Sequence, residues 1–383
     1  NDALIYAFPT DPAPRRYIVP DREGSGPIEA RDEAITATTP VCLVRYGVTL
    51  DPGAERIMDF KFPYDPVALG DEKAIAELRN ASVAALMADT VRWWRRFLDQ
   101  GMQIELPESK PVDVYRASLA YLAIARRKEG DDYIPTVNRF QYHYFWVRDG
   151  AYIVNAFDMA GRHKWAEQGL DYFLKHQQSN GIIYQPPQLD GYGQTLWAFG
   201  SHWRLTGDDA WARRVYPALA RHVRGAFESI ATDPLGLVPA APPYDNEAIN
   251  GHYTGHSFWL LIGMKDIIAM AKALGEEADA REFTELYEGY RERFLTVLGE
   301  TAERTGGYIP PGLDAEEGCD WDNLISLYPR GGVPASGALS PTDPRVTETI
   351  NRVREHKYAE GIMTYGHGMR VGSMHHYDTI KLT

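Results

Sequence analysis

The chain has 383 residues, 44% of them hydrophobic and 24% charged, which is typical of a globular protein rather than a disordered one. Its formal net charge of −13 argues against nucleic acid as a partner, because no basic stripe is available to neutralise phosphates. The sequence has no run of about 18 apolar residues, so it predicts no membrane span, and a cytoplasmic location is the expectation.

The front of the chain is predicted to be β-rich. Short apolar runs separated by Pro, Gly and Asp recur there: ALIYAF, YIVP, CLVRYGVTL and IMDFKFPY. From residue 72 the apolar spacing becomes helical and continues to Gly101, which predicts one long helix. The predicted divisions are a β-rich segment at 1–70, a linking helix and connector at 71–109, and a helical domain at 110–383.

Helical segments follow one another through the rest of the chain, and several end at a glycine, such as Gly161, Gly207 and Gly275. Short links such as TGD alternate with long aromatic or polar loops at 178–193 and 235–252. This alternation is typical of stacked αα-hairpins whose long loops share one face. The sequence therefore predicts a mainly α domain with its functional loops at one end.

The segment YFWVRDGA at 144–151 carries the first group of chemically informative residues. Arg148 offers a planar fork of donors, Asp149 offers two acceptors, and Trp146 offers a flat apolar face. A sugar ring is recognised by this mixture, since its hydroxyls need paired donors and acceptors and its C–H side needs a π-face. An ordinary ion pair at a helix start would give the same pattern, so the interpretation depends on the clusters that follow.

Two further loops carry polar and aromatic residues just before a helix. The first, at 185–203, contains Asp190, Tyr192, Gln194 and Trp197, although Trp197 fits a packed core equally well.

The second of these loops, PYDNEAINGHYTGHSFW, contains Asp245, Glu247 and His252. Two carboxylates near aromatic residues suit general acid chemistry, because an apolar setting raises a carboxyl pKa. Capping of the next helix is the alternative role, since Asp and Glu are common at helix N-termini.

The remaining sequence predicts no metal site and no cofactor. CDWDNLISLYP places Asp320 and Asp322 around Trp321, and three histidines follow at 365–379 without a metal signature. The two cysteines match no metal or redox spacing. A Walker loop, a GxGxxG after a strand and a GxSxG are all missing, so neither a nucleotide nor a serine hydrolase mechanism is favoured.

Several of these segments, in the same order, resemble those of glucoamylase-type glycosidases, which belong to the six-hairpin, (α/α)6-barrel superfamily. FWVRDGAYIVNAFDMAG resembles their W-x-R-D-x-A segment, and QLDGYGQTLWAFGSHWRLTGD resembles their second loop-helix segment. DNEAINGHYTGHSFWLLIGMKDIIAMAKALG resembles the segment with the catalytic acid, and the likeness extends from 110 to about 377. It implies an (α/α)6 toroid of αα-hairpins after a β-rich segment and a linking helix. One alternative is that the toroid is incomplete at the C-terminus of this chain, with its last hairpins missing.

The resemblance also implies an activity, that of an O-glycosyl hydrolase acting on an oligosaccharide or small glycoside. The implied bond is α-linked and of glucose type, and it is cleaved with inversion by an acid and a base. The implied sugar-binding residues are Trp146, Arg148, Asp149, Asp190, Tyr192, Gln194, Trp197, His252 and Trp321.

The catalytic carboxylates depart from the family pattern. The family's acid segment has Trp-Glu-Glu where this chain has Tyr-Asp-Asn-Glu, so Glu247 is the implied acid and Asp245 stays an alternative. The family's base lies near the C-terminal end of the barrel and is expected beyond residue 383. Asp320 and Asp322 are fallback candidates for it.

Other functions stay open, because one barrel hosts many activities. A phosphorylase would replace water with phosphate, and an epimerase would use histidines such as His252 and His256. A non-catalytic glycan-binding protein would keep the pocket and release no product.

Overall fold

The structure, a computed structural model, describes the greater part of the chain. The described residues are 3–4, 7, 9–13, 15–19, 29–30, 41–140, 143–184, 186, 188–242, 250–315, 323–324, 329–330, 333–334, 336–356, 358–359 and 362–363. The chain divides into two compact units, residues 1–97 and 98–383.

The first unit contains short antiparallel strands followed by helices. The strands are β1 (Ala3–Leu4), β2 (Arg15–Val19), β3 (Glu29–Ala30), β4 (Val41–Arg45) and β5 (Val67–Ala68). Strand β2 lies between β3 and β4, with Tyr17 opposite Ala30 on one side and Leu43 on the other, and β1 pairs with β5.

The prediction of a single long helix after residue 72 is wrong. The structure has two helices, α1 (Glu72–Asn80) and α2 (Val83–Asp99), and α2 ends just past the boundary of the first unit. Ala81 separates the two helices, because its backbone is extended, at φ −56° and ψ 127°. The hydroxyl of Ser82 then accepts a hydrogen bond from the Ala85 N–H at 3.3 Å, as an N-capping residue does.

The second unit is mainly helical. Its helices are α3 (Ser109–Ala125), α4 (Val147–Met159), α5 (His163–Leu174), α6 (Gly191–Thr206), α7 (Asp209–Ala231), α8 (Thr254–Leu274), α9 (Glu277–Arg304) and α10 (Pro344–His356). Short antiparallel pairs join β6 (Arg127–Glu129) to β7 (Asp132–Ile134), β8 (Pro329–Arg330) to β9 (Val333–Pro334), and β10 (Tyr358–Ala359) to β11 (Ile362–Met363).

Helices α4 to α9 form αα-hairpins in an inner and an outer layer. The inner helices α4, α6 and α8 pack side by side, and α5, α7 and α9 pack outside them. Burial distinguishes the layers: 17 of the 21 residues of α8 are buried, against 9 of the 28 residues of α9. A helix that is covered all round belongs inside, and one with a single apolar face belongs outside.

The links between these helices alternate as the sequence predicts. Each inner helix is joined to its outer partner by a tight turn at a left-handed glycine, Gly161, Gly207 or Gly275. The Asp208 carboxylate starts α7 by accepting from the Trp211 N–H at 2.9 Å. The returning links at 175–190 and 232–253 are long. Within the described part of the chain, no helix is both long enough and apolar enough to cross a membrane.

Candidate active site at the inner helix N-termini

The three inner helices begin at one end of the inner layer. Because each inner helix is followed by an outer helix that returns, α4, α6 and α8 run in the same direction and begin at the same end. Two side-chain contacts join the starts of α4 and α6: the Arg148 Nε in the first turn of α4 donates to the Asp190 Oδ2 at the start of α6, at 2.5 Å. The Arg148 backbone N–H donates to the Gln188 Oε1 at 3.3 Å.

One aromatic residue from each inner helix contributes to an aromatic layer beneath this end. The rings of Tyr152, Trp197 and Trp259 lie with their centroids 5.2–5.9 Å apart. Trp197 is 1% exposed and Trp259 is fully buried. Trp197 is one of the implied sugar-binding residues. Its burial shows that it packs in the core, which the sequence analysis gave as its alternative role.

A polar layer lies one helical turn nearer the N-termini. Residues three or four positions apart share a helix face. Arg148 and Asp149 precede Tyr152 by this spacing, Gln194 precedes Trp197, and His256 precedes Trp259. The polar layer thus comprises Arg148, Asp149, Asp190, Gln194 and His256, contributed by three helices. The positive ends of three helix dipoles add a field that favours electron-rich oxygens there.

The charges in the polar layer influence one another at short range. Asp190 is fully buried, and only 11% of the Arg148 side chain is exposed. Burial raises the pKa of Asp149 above its usual value; neighbouring Arg148 opposes the rise and Asp190 adds to it. Asp149 therefore keeps its proton to a higher pH than an exposed aspartate does.

Gln194 places a buried amide in the polar layer. Its side chain is fully buried, and neither amide atom has a hydrogen-bond partner among the described residues. Buried amides are nearly always paired, because an unpaired one costs about 1–3 kcal/mol. An amide offers a donor and an acceptor side by side, a combination that matches a hydroxyl group.

Two other implied sugar-binding residues occupy different surroundings. Tyr192 is 3% exposed, lies edge-on to Tyr184 and points its hydroxyl at Ser229 of α7, 3.4 Å away, so it faces the outer layer. Trp146 is the half-buried residue immediately before α4.

His252, two residues before α8, contacts two aspartates that are distant from it in sequence. Its Nε2 lies 2.9 Å from the Asp233 Oδ2, and its Nδ1 lies 2.6 Å from the Asp314 Oδ2. Its backbone N–H also donates to the Asp314 Oδ1 at 2.8 Å. Burial alone would lower the pKa of His252, but the hydrogen bonds to Asp314 and Asp233 outweigh it and raise the pKa. We call Asp233, His252 and Asp314 the loop clamp.

In the sequence, the segment with the implied acid lies between Asp233 and His252 of the loop clamp. Ala241 and Gly251 exchange backbone hydrogen bonds at the two ends of this loop, at 2.7 and 3.2 Å. Asp245 and Glu247 lie between them, in 243–249, which is outside the described residues. Trp321 and the fallback carboxylates Asp320 and Asp322 also lie outside the described residues.

Several residues of this end were not predicted from the sequence. Gln188, Tyr152 and Trp259 lie inside segments that the sequence analysis identified. Tyr152 and Trp259 were not selected there, because aromatic residues at helical spacing usually belong to a core. Asp233 and Asp314 occur in ordinary turn sequences, TDPLG and GLDA, and nothing local connects them to His252.

Comparison with known proteins gives one relative in sequence and several in structure. The chain is 26% identical over 147 residues to an uncharacterized glycosyl hydrolase of Methanocaldococcus jannaschii. The match covers 34% of this chain and 24% of the archaeal protein, about a quarter of its length. No protein-family model matches the chain.

Two solved glycosidase structures align with a TM-score of 0.50 each, at 15% and 16% identity. Each alignment covers 67% of this chain and 72% of the glycosidase chain. The likeness establishes a shared fold, and the mainly α toroid of αα-hairpins implied by the sequence resemblance is confirmed.

Proposed function

We propose that this chain is a glycoside hydrolase that binds the end of an oligosaccharide or small glycoside over the polar layer. The observation that carries the proposal is the group of Arg148, Asp149, Asp190 and Gln194 on top of an aromatic layer, in which Asp190 and Gln194 are fully buried and Arg148 and Asp149 are half-buried. Sugar hydroxyls require such a mixture of charged and neutral hydrogen-bonding groups at one place. The glycosidase fold and the relative named as a glycosyl hydrolase support the same class.

In this proposal the polar layer orients the terminal sugar. Asp190 fixes the guanidinium of Arg148, so that its planar fork is pre-organised for adjacent hydroxyls. Asp149 and the Gln194 amide supply a further donor and acceptors. Trp197 and Trp259 of the aromatic layer below are buried, and such an apolar surrounding strengthens hydrogen bonds made next to it.

The proposed chemistry is inversion at an α-linked, glucose-type bond. Glu247 protonates the leaving oxygen, with Asp245 as the alternative acid, and a second carboxylate activates water on the opposite face of the sugar. The two carboxyl groups of such a pair lie roughly 6.5–9.5 Å apart, which leaves room for the water. The loop clamp supports this role, because it fixes His252, which follows that segment in sequence and lies two residues before α8.

A panel of α-linked disaccharides and aryl glycosides, with the product anomer followed by NMR, tests the proposal. Release of a free sugar of inverted configuration in plain buffer is expected. Turnover that requires inorganic phosphate would make the protein a phosphorylase, and an isomer formed without bond cleavage would make it an epimerase. Glycan binding without any product would reduce it to a binding protein.

A further inference from the structure

A cluster of metal-ligating residues lies at the other end of the inner layer, away from the polar layer. Asp158 is in the last turn of α4, His163 is the first residue of α5, and His202 is near the end of α6. Three helix ends therefore bring together two imidazoles and a carboxylate that are up to 44 residues apart in the chain.

The donor atoms of this cluster converge. The His202 Nδ1 lies 2.8 and 3.0 Å from the two carboxylate oxygens of Asp158, and the His163 Nδ1 lies 2.9 Å from the Oδ1. One donor atom from each of the three residues lies within 4.8 Å of the others. Asp158 and His202 are buried, whereas 41% of the His163 side chain is exposed.

We propose that Asp158, His163 and His202 bind one divalent transition-metal ion of the Zn²⁺ class. Two imidazole nitrogens and one carboxylate oxygen favour Zn²⁺, Co²⁺ or Ni²⁺ over Mg²⁺ and Ca²⁺, which prefer oxygen ligands. The exposed side of His163 gives the ion a route from solvent and leaves a fourth position for water. The ion ties together the ends of three helices, so its role is structural.

Formation of the site requires a small rearrangement. Metal–ligand bonds of about 2.0–2.1 Å separate tetrahedral donor atoms by roughly 3.3 Å, a few tenths of an ångström more than the present contacts of each Nδ1 with the Asp158 carboxylate. His163 can provide this movement because it is partly exposed. Each Nδ1 must present its lone pair to the ion, so its proton moves to Nε2, or a charged imidazole releases one proton to solvent.

The alternative is a hydrogen-bonded cluster in which two Nδ1–H groups satisfy a buried carboxylate. Asparagine distinguishes the two, because its side-chain amide can donate from near the position of Nδ1 but is a poor metal ligand. His163→Asn and His202→Asn thus preserve the donors and remove the site. His356→Ala, at the exposed end of α10, is the control for adventitious binding by a surface histidine.

The test is Zn²⁺ titration by calorimetry of chelator-treated protein without a polyhistidine tag, with Co²⁺ absorption reporting imidazole ligation. We expect one ion per chain and a Tm increase of about 5 °C with the ion in large excess. Both asparagine variants should bind at least about 10-fold more weakly, and His356→Ala should match the wild type. The proposal is overturned if the wild type binds no stoichiometric ion, or if the folded asparagine variants bind equally well. Neither readout depends on glycosidase activity.

Discussion

Gly193 of α6 lies against Gly263 of α8 so closely that a Cβ on Gly263 would come within 2.4 Å of the Gly193 carbonyl oxygen. A Cβ on Gly193 would come within 2.0 Å of the Trp259 carbonyl carbon. The two backbones are thus in direct contact at this point. That contact sets the position of the polar residues at the start of α6 relative to those of α8.

Gly263→Ala should therefore destabilise the fold by about 1–3 kcal/mol, because the new methyl group can be accommodated only by separating two backbones. Gly289→Ala is the matched control: this residue is also inside a helix, α9, but a Cβ there meets no atom within 4 Å. It should stabilise by up to about 1 kcal/mol through helix propensity. Urea unfolding of both variants measures the difference, and equal effects would contradict the close contact.

Arg148→Ala should weaken sugar binding or transition-state binding by about 2–5 kcal/mol, because it removes a buried charged donor. It should also lower the free energy of unfolding, since it leaves the carboxylate of Asp190 buried without its partner. Arg214→Ala, which removes ion pairs of the half-exposed Arg214 with Asp171 and Glu167, should cost less than about 1 kcal/mol. If Arg148→Ala and Arg214→Ala have the same kinetics and the same free energy of unfolding, the pair of Arg148 with Asp190 contributes no more than a surface ion pair does.

Gln194→Met should change stability and sugar binding in opposite directions. Methionine has nearly the same shape but no polar atoms to leave unpaired, so the variant should gain about 1–3 kcal/mol of stability. The same change should weaken sugar binding, because it removes a donor and an acceptor from the polar layer. A loss of stability in chemical denaturation would instead indicate that the amide pairs with residues outside the described part of the chain.

The loop clamp should make stability depend on pH. His252 has a folded pKa raised above 6.5, so its contribution is fully present below that value and is lost as pH rises through the folded pKa. Although burial raises the pKa of Asp314, its hydrogen bonds with His252 lower it overall, below 3.8, so its contribution is lost only as pH falls through that lower value. The stability difference between wild type and His252→Gln should therefore be largest in weak acid and shrink above neutrality. A difference that stays constant between about pH 5.5 and 9 would rule out protonation of His252 as the cause.

The hairpin architecture could be predicted from sequence because its signals are local. Helical periodicity and the glycines at 161, 207 and 275 act within one or two turns, and the structure places each where the pattern does. The break at Ala81 was missed because the apolar spacing continues across it, so only the capping hydroxyl of Ser82 marks the new helix. Local capping chemistry there outweighs the longer pattern.

The polar contacts could not be predicted, because they join residues that are distant in the chain. Arg148 and Asp190 each stand out in sequence, but their pairing depends on α4 and α6 starting at the same end. The same holds for His252 and Asp314, which are 62 residues apart. The cluster at Asp158 was missed altogether, since its ligands come from three helices and produce no spacing motif.

Glu247→Gln tests the proposed acid, which is placed by sequence resemblance alone. The variant should lose hydrolysis of glycosides with poor leaving groups and retain more activity on activated aryl glycosides, because those leave with little protonation. The fold should survive, since the change is isosteric and leaves the loop clamp intact, and an unchanged Tm checks this. Asp245→Asn is the matched control and should leave this leaving-group dependence unaltered. If Asp245→Asn shows the selective loss and Glu247→Gln does not, the acid is Asp245. If neither variant changes turnover, the hydrolase proposal loses its acid and must be abandoned.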